Sequence, residues 1–174
     1  LHVSMTEKRK SFFERLMLMD DSTWQRHANP LSVYTRYSGL PLLALAIWSR
    51  IWVGWWALVP IAMVILWIWI NPRLFANPQS TANWASKAVL GERVWLNRKT
   101  VAIPEGHRQA AFRLSVLNGI ASLVVIYGLI VLAVWPTLAG IGTVILAKTW
   151  FLDRMVWLFE DMADDNSLYR SWVR

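Results

Sequence analysis

Apolar residues run almost unbroken from position 31 to 70, give way to a polar stretch over 74–109, and return over 110–158. Each apolar block is far longer than the ~20 residues that cross a ~30 Å hydrocarbon layer. Each therefore divides into two helices joined by a tight turn. The first pair is expected over residues 31–52 and 53–70, and the second over 110–135 and 137–158, turning at Trp135-Pro136. Pro41 and Pro60 fall inside the first pair, where kinks are expected because neighbouring helices can satisfy the freed carbonyls. Ser115, Gly119 and Ser122 on one helix and Ala139, Thr143 and Ala147 on the next form small-residue stripes that would let the second pair pack closely. The predicted fold is all-α and integral to a membrane: four transmembrane helices as two hairpins, with amphipathic interfacial helices beside them.

The flanking segments carry their own signals. Residues 6–19 read as an amphipathic helix, with Phe12, Phe13, Leu16, Met17 and Met19 opposed by Lys8, Arg9 and Arg15. Met5 is the expected start, and charges within residues 12–21 leave no cleavable signal in the segment. Asp20 to Thr23 supply N-cap types for a short helix through Trp24 and His27, and Asn29-Pro30 marks the next boundary. In the polar stretch Ser80-Thr81 can cap a helix over 82–99. Its arc of Trp84, Ala85, Ala88, Val89, Gly91, Trp95 and Leu96 suggests a helix lying along the bilayer. Glu92, inside that arc, is expected to reach a basic neighbour or lipid headgroups. The chain thus divides into an amphipathic segment (1–29), a first hairpin (30–73), a loop with an interfacial helix (74–109), a second hairpin (110–160) and a surface-associated tail (161–174).

Composition supports this division. The chain is 56% apolar with 13 Trp in 174 residues, and Trp concentrates where lipid meets water. Trp48, Trp52, Trp55 and Trp56 would form such a belt beside the first turn. The net charge of +7 is distributed as a topology signal, not as a nucleic-acid footprint, because the two turns hold only Arg50 among the basic residues. The positive-inside rule then puts both termini and the 74–109 loop in the cytoplasm. The chain has no Cys, which removes disulfides and thiolate chemistry. No phosphate loop, zinc spacing or nucleophile elbow is present. No catalytic residue, metal or cofactor is expected. The expected partners are the bilayer itself and another membrane protein or a second copy.

Four segments, from His27 to Arg36, Trp69 to Arg73, Gly91 to Trp95 and Trp150 to Trp157 (HANPLSVYTR, WINPR, GERVW and WFLDRMVW), together resemble an uncharacterised bacterial family of small membrane proteins, domain of unknown function 6653. The resemblance covers about residues 19–172. It implies the inner membrane of a bacterium, and it carries no activity and no site residues.

Candidate chemistry comes from depth. Counting about seventeen residues from each turn at ~1.5 Å per residue lands on Arg36, Asn71, Asn118 and Asp153, a polar group on each helix at one level. Asp153 is expected to pair with Arg36 or Arg154, since an unpaired buried carboxylate takes up a proton. Lys148, on the far side of its helix, reads as snorkelling or subunit-facing. His27, Asn29, Glu92 and His107 approach the same level from the flanking segments. The first functional reading is a non-enzymatic scaffold or accessory subunit tied together by this layer. A second is a small transporter, channel or proton relay using Asp153, Arg36 and His27 with Lys148. A third is a membrane enzyme or metal site built from His27, His107, Glu92 and Asp153, and a fourth is hydrophobic-ligand binding at the Trp-rich surfaces. Convergence of at least three of Arg36, Asp153, His27, His107 and Glu92 on one cavity would favour binding over scaffolding.

Overall fold

A computed structural model describes residues 21–173; the segment expected over residues 6–19 lies outside them. The described residues are helical, without a strand. In chain order they form α1 (Asp21–His27), α2 (Pro30–Arg36), α3 (Gly39–Trp48), α4 (Arg50–Val53), a 3₁₀ turn (Gly54–Ala57), α5 (Leu58–Leu74), α6 (Trp84–Leu96), α7 (Glu105–Ile130), α8 (Val134–Asp165) and α9 (Ser167–Arg170). Two stretches, Pro30–Leu74 and Glu105–Ile130, are long and apolar enough to cross a membrane, with mean hydropathies of 2.1 and 1.7 in their most apolar windows. α8 is longer than either α5 or α7, but Lys148 interrupts its apolar run.

The helix expected over 31–52 is instead three helices. Asn29 caps α2, its side chain accepting from the Leu31 amide at 2.9 Å, with Pro30 in the first turn. The chain breaks at Tyr37-Ser38, so Pro41 falls in the first turn of α3, and Pro60 likewise falls in the first turn of α5. A first-turn N–H has no acceptor within its helix, so neither proline produces the expected kink. Pro72 is the one proline inside a helix body, near the end of α5.

The second turn lies four residues earlier than Trp135-Pro136. It spans Val131 to Ala133, with Leu132 in the left-handed region at φ 55°, and Pro136 sits in the first turn of α8. α7 and α8 then pack backbone to backbone mostly through other residues than the expected stripes, of which Ala147 alone is buried. A Cβ on Gly128 would come within 2.7 Å of the Thr137 amide nitrogen, and one on Gly140 within 2.9 Å of the Val125 nitrogen, whereas Gly119 faces open space. Close approach thus runs through Gly128, Thr137, Gly140 and Ala147, while Ser115, Gly119 and Ala139 face outward. α3 joins this pair through Ala44, which clusters with Val125 and Leu129.

At the other end α8 extends past its neighbours and carries α6. The α6 arc expected to lie on a bilayer is covered by protein: Leu90 and Val94 pack with Met155, Leu158 and Phe159 of α8, and Ala85 and Val89 pack with Trp24, Ala28 and Val33. Gly91 permits this contact, because a Cβ there would sit 1.8 Å from the Met155 carbonyl oxygen. The tail is also docked, with Tyr169 of α9 only 3% exposed within the same core.

Candidate functional site

Four elements meet where α6 crosses α8. α1 ends in His27, α2 ends in Arg36, the middle of α6 presents Glu92, and α8 presents Lys148. Around them lies a cavity of ≈ 480 Å³, lined also by Trp24, Trp95, Arg98 and Phe151, by Ile68 and Pro72 of α5, and by Leu114, Ser115 and Asn118 of α7. That volume lies within the range of sites for small organic molecules.

The polar groups form two linked pairs. Lys148 Nζ donates to Glu92 Oε1 at 2.8 Å, and Arg36 Nη1 donates to His27 Nε2. Arg36 is further held by its Nε–H to the Ser32 carbonyl at 3.1 Å and by Nη2 to the His27 carbonyl at 3.4 Å. A guanidinium can only donate, so His27 Nε2 is an acceptor and the imidazole hydrogen sits on Nδ1. That N–H is buried without a partner, as is the Trp24 indole Nε1–H, with the two rings edge to face at 5.6 Å. Both orphans are donors buried behind the cavity surface, and the cavity lining carries three cations against one carboxylate.

Burial, followed by the adjacent Arg36 charge, holds the His27 imidazole well below its ordinary value of 6.5, so it is neutral at neutral pH. Burial alone would raise the Glu92 carboxyl. The Lys148 ammonium outweighs it by charge and by hydrogen bond, with Arg36 adding to it, and brings the group down to about 2. Glu92 is therefore a fixed anion holding Lys148 in place.

Of the polar layer read from the sequence, His27, Arg36, Glu92 and Asn118 line this cavity. Asn71 lies beside it but is sealed, fully buried between Ser32 Oγ, which donates to its Oδ1 at 3.0 Å, and Thr35 Oγ1, which accepts from its Nδ2 at 2.8 Å. Asn29 caps α2 and donates to the Ala76 carbonyl at 2.9 Å.

Asp153 pairs with neither Arg36 nor Arg154. It accepts from the Trp84 indole at 3.1 Å, and Arg154 stacks over Trp157 at 4.9 Å. His107 meets Asp161 at 2.6 Å, away from the cavity. The four residues considered for a metal site are thus not brought together, and no group of three His, Asp or Glu among the described residues could hold an ion.

Lys148 stands at the cavity where Asp153 is expected. The second turn centres on Leu132, four residues before Pro136. Seventeen residues on from Leu132 is Thr149, beside Lys148, and Asp153 lies about 6 Å farther on than expected, at ~1.5 Å per residue.

A family model matches residues 10–172. The chain belongs to the Family of unknown function (DUF6653). No curated protein and no solved structure matches it.

Proposed function

We propose that the protein is a four-span integral membrane protein, its two hairpins inserted from the cytoplasm, that binds a small anion in a cavity at the cytoplasmic boundary. The observation that carries this reading is the convergence of His27, Arg36, Glu92 and Lys148 on one cavity of ≈ 480 Å³. Three lining cations against one carboxylate give the wall a net positive charge, which an anionic ligand would neutralise.

The membrane part rests on surface chemistry. Only 6% of the most apolar window in Pro30–Leu74 and 28% of that in Glu105–Ile130 is buried, whereas the core helix of a water-soluble domain hides its apolar residues. Trp52, Trp55, Trp56 and Trp135 are 74–88% exposed at the two turns. Arg50, which donates to the Ile130 carbonyl at 3.0 Å, ties those turns together at one end, where an interfacial belt would lie.

Both parts have direct tests. The absence of Cys allows Trp56→Cys and Asn97→Cys to be labelled in cells with a membrane-impermeant maleimide. Trp56→Cys should react at once and Asn97→Cys only after permeabilisation; reaction of both from one side would end the topology. For the cavity, an anionic probe, lipid-borne or soluble, should raise the unfolding temperature of the purified protein more than its neutral analogue, and Arg36→Gln should abolish the difference. Equal effects of the two probes would end the anion reading.

A scaffold or accessory-subunit role is the second reading, and the Ser32–Asn71–Thr35 network favours it, since that network is sealed and serves packing alone. Under this reading, substitutions around the cavity change folded yield only.

A further inference from the structure

We infer that the anion is the headgroup of a membrane phospholipid, which enters sideways between α5 and α7 and leaves its acyl chains outside in the apolar cleft. The inference rests on the cavity being an anion site and goes beyond it in naming the ligand's second half. The lining is mixed. Arg36, Arg98 and Lys148, with Glu92, share it with Ile68, Pro72, Leu114 and Phe151. A soluble phosphate would leave the apolar residues unused, whereas an amphiphile matches both kinds.

The framing helices favour the same ligand. α5 packs on α1, α2 and α3, while α7 packs on α8 and touches α3. α5 and α7 are therefore not packed on each other, and Ile68 of α5 and Ser115 of α7 line the cavity from the two helices. Both of these residues line it and are exposed, Ile68 at 38%. Phe112 and Val116, 67% and 45% exposed, neighbour Ser115 on α7, and open space surrounds Gly119 one turn further along. The cavity thus opens on the apolar flank of two helices as well as at Arg98, whose guanidinium stacks on Trp95 at 4.7 Å. A volume of ≈ 480 Å³ suits a phosphoglycerol headgroup, and the acyl chains find their solvent in the surrounding bilayer.

The test uses the full chain purified in a neutral detergent, with three probes: phosphatidylglycerol, phosphatidylcholine and glycerol phosphate. Phosphatidylglycerol at about a hundred times its Kd should raise the unfolding midpoint by about 5–10 °C, and the other two should have little effect. Ser115→Trp, which plugs the opening, should lose the phosphatidylglycerol shift. Arg98→Gln, at an exposed position, should keep the folded yield and weaken phosphatidylglycerol binding about tenfold, as expected for one lost charge-assisted contact. If Ser115→Trp does not fold, Arg98→Gln decides. Equal shifts from glycerol phosphate and phosphatidylglycerol would overturn the lipid while leaving the anion site standing. Equal shifts from phosphatidylcholine and phosphatidylglycerol, or no shift from any probe, would overturn both.

Discussion

The two hairpins are held together by different physics. In the second, α7 and α8 approach until their backbones touch at Gly128–Thr137 and Gly140–Val125. In the first, α3 and α5 meet at side-chain distance, where a Cβ on Gly39 would find only the flexible end of Ile68 at 3.1 Å. Polar links do much of the rest: the Trp67 indole donates to Ser38 Oγ at 3.3 Å, and Asn71 ties α5 to Ser32 and Thr35 of α2. Close backbone contact leaves no room for a ligand, whereas a hairpin joined by a few hydrogen bonds can stand apart from its neighbour. The cavity lies where the loosely joined pair meets the tightly joined one. Shape complementarity makes the frame here, and directional bonds hold the opposite wall.

The widest gap between the hairpins should appear at their glycines. Gly128→Leu forces a side chain into the Thr137 backbone and should cost about 3 kcal/mol or more, seen as loss of the monodisperse peak on size exclusion. Gly39→Ala should be about neutral, because Ile68 can shift its end; an equal loss in both variants would erase the comparison. Next in size, Asn71→Ala strands the Ser32 hydroxyl and should cost about 1–3 kcal/mol. In hydrogen exchange its effect should stay in α2 and α5, leaving α7 and α8 protected.

A smaller effect of opposite sign belongs to the turns. The first uses Gly54 at φ 55° and the second Leu132 at the same angle, where an L side chain costs about 1–2 kcal/mol. Leu132→Gly should therefore raise the thermal midpoint, and a fall would show that the leucine side chain contributes more than its backbone angle costs. The smallest effect is a pH dependence. His27 has a lowered folded value, so the unfolded chain binds the proton more readily. Its contribution is complete above the ordinary value of 6.5 and is lost as pH falls below it. Midpoints measured from pH 7.5 to 5 should decline in the native protein and flatten in His27→Gln.

The all-helical class was legible because long apolar runs without strand alternation leave a folded chain few choices. The α1 and α2 boundaries were legible from Asn29-Pro30, and so was the need of Glu92 for a basic partner. The second turn was not, because Leu132 adopts a glycine-like angle without being glycine, and Trp135-Pro136 imitates a turn while serving as the first turn of a helix. That error of four residues exchanged Lys148 for Asp153. The covering of the α6 arc by α8 was hidden for another reason: an apolar stripe shows that something must cover it, and periodicity cannot distinguish lipid from another helix.

Arg50 bears on how the molecule is made. Its guanidinium satisfies the last carbonyls of α7, Leu129 and Ile130, which are synthesised about eighty residues after it. In the proposed topology the first hairpin must carry this charge to the far side of the bilayer before its acceptors exist, and it holds the charge unpaired until the second hairpin arrives. Biogenesis then has an order in which the early hairpin waits for the late one. Arg50→Leu should let the first hairpin insert and persist without the second, while Arg50→Lys, with a single point charge in place of a planar fork, should leave it dependent on its partner.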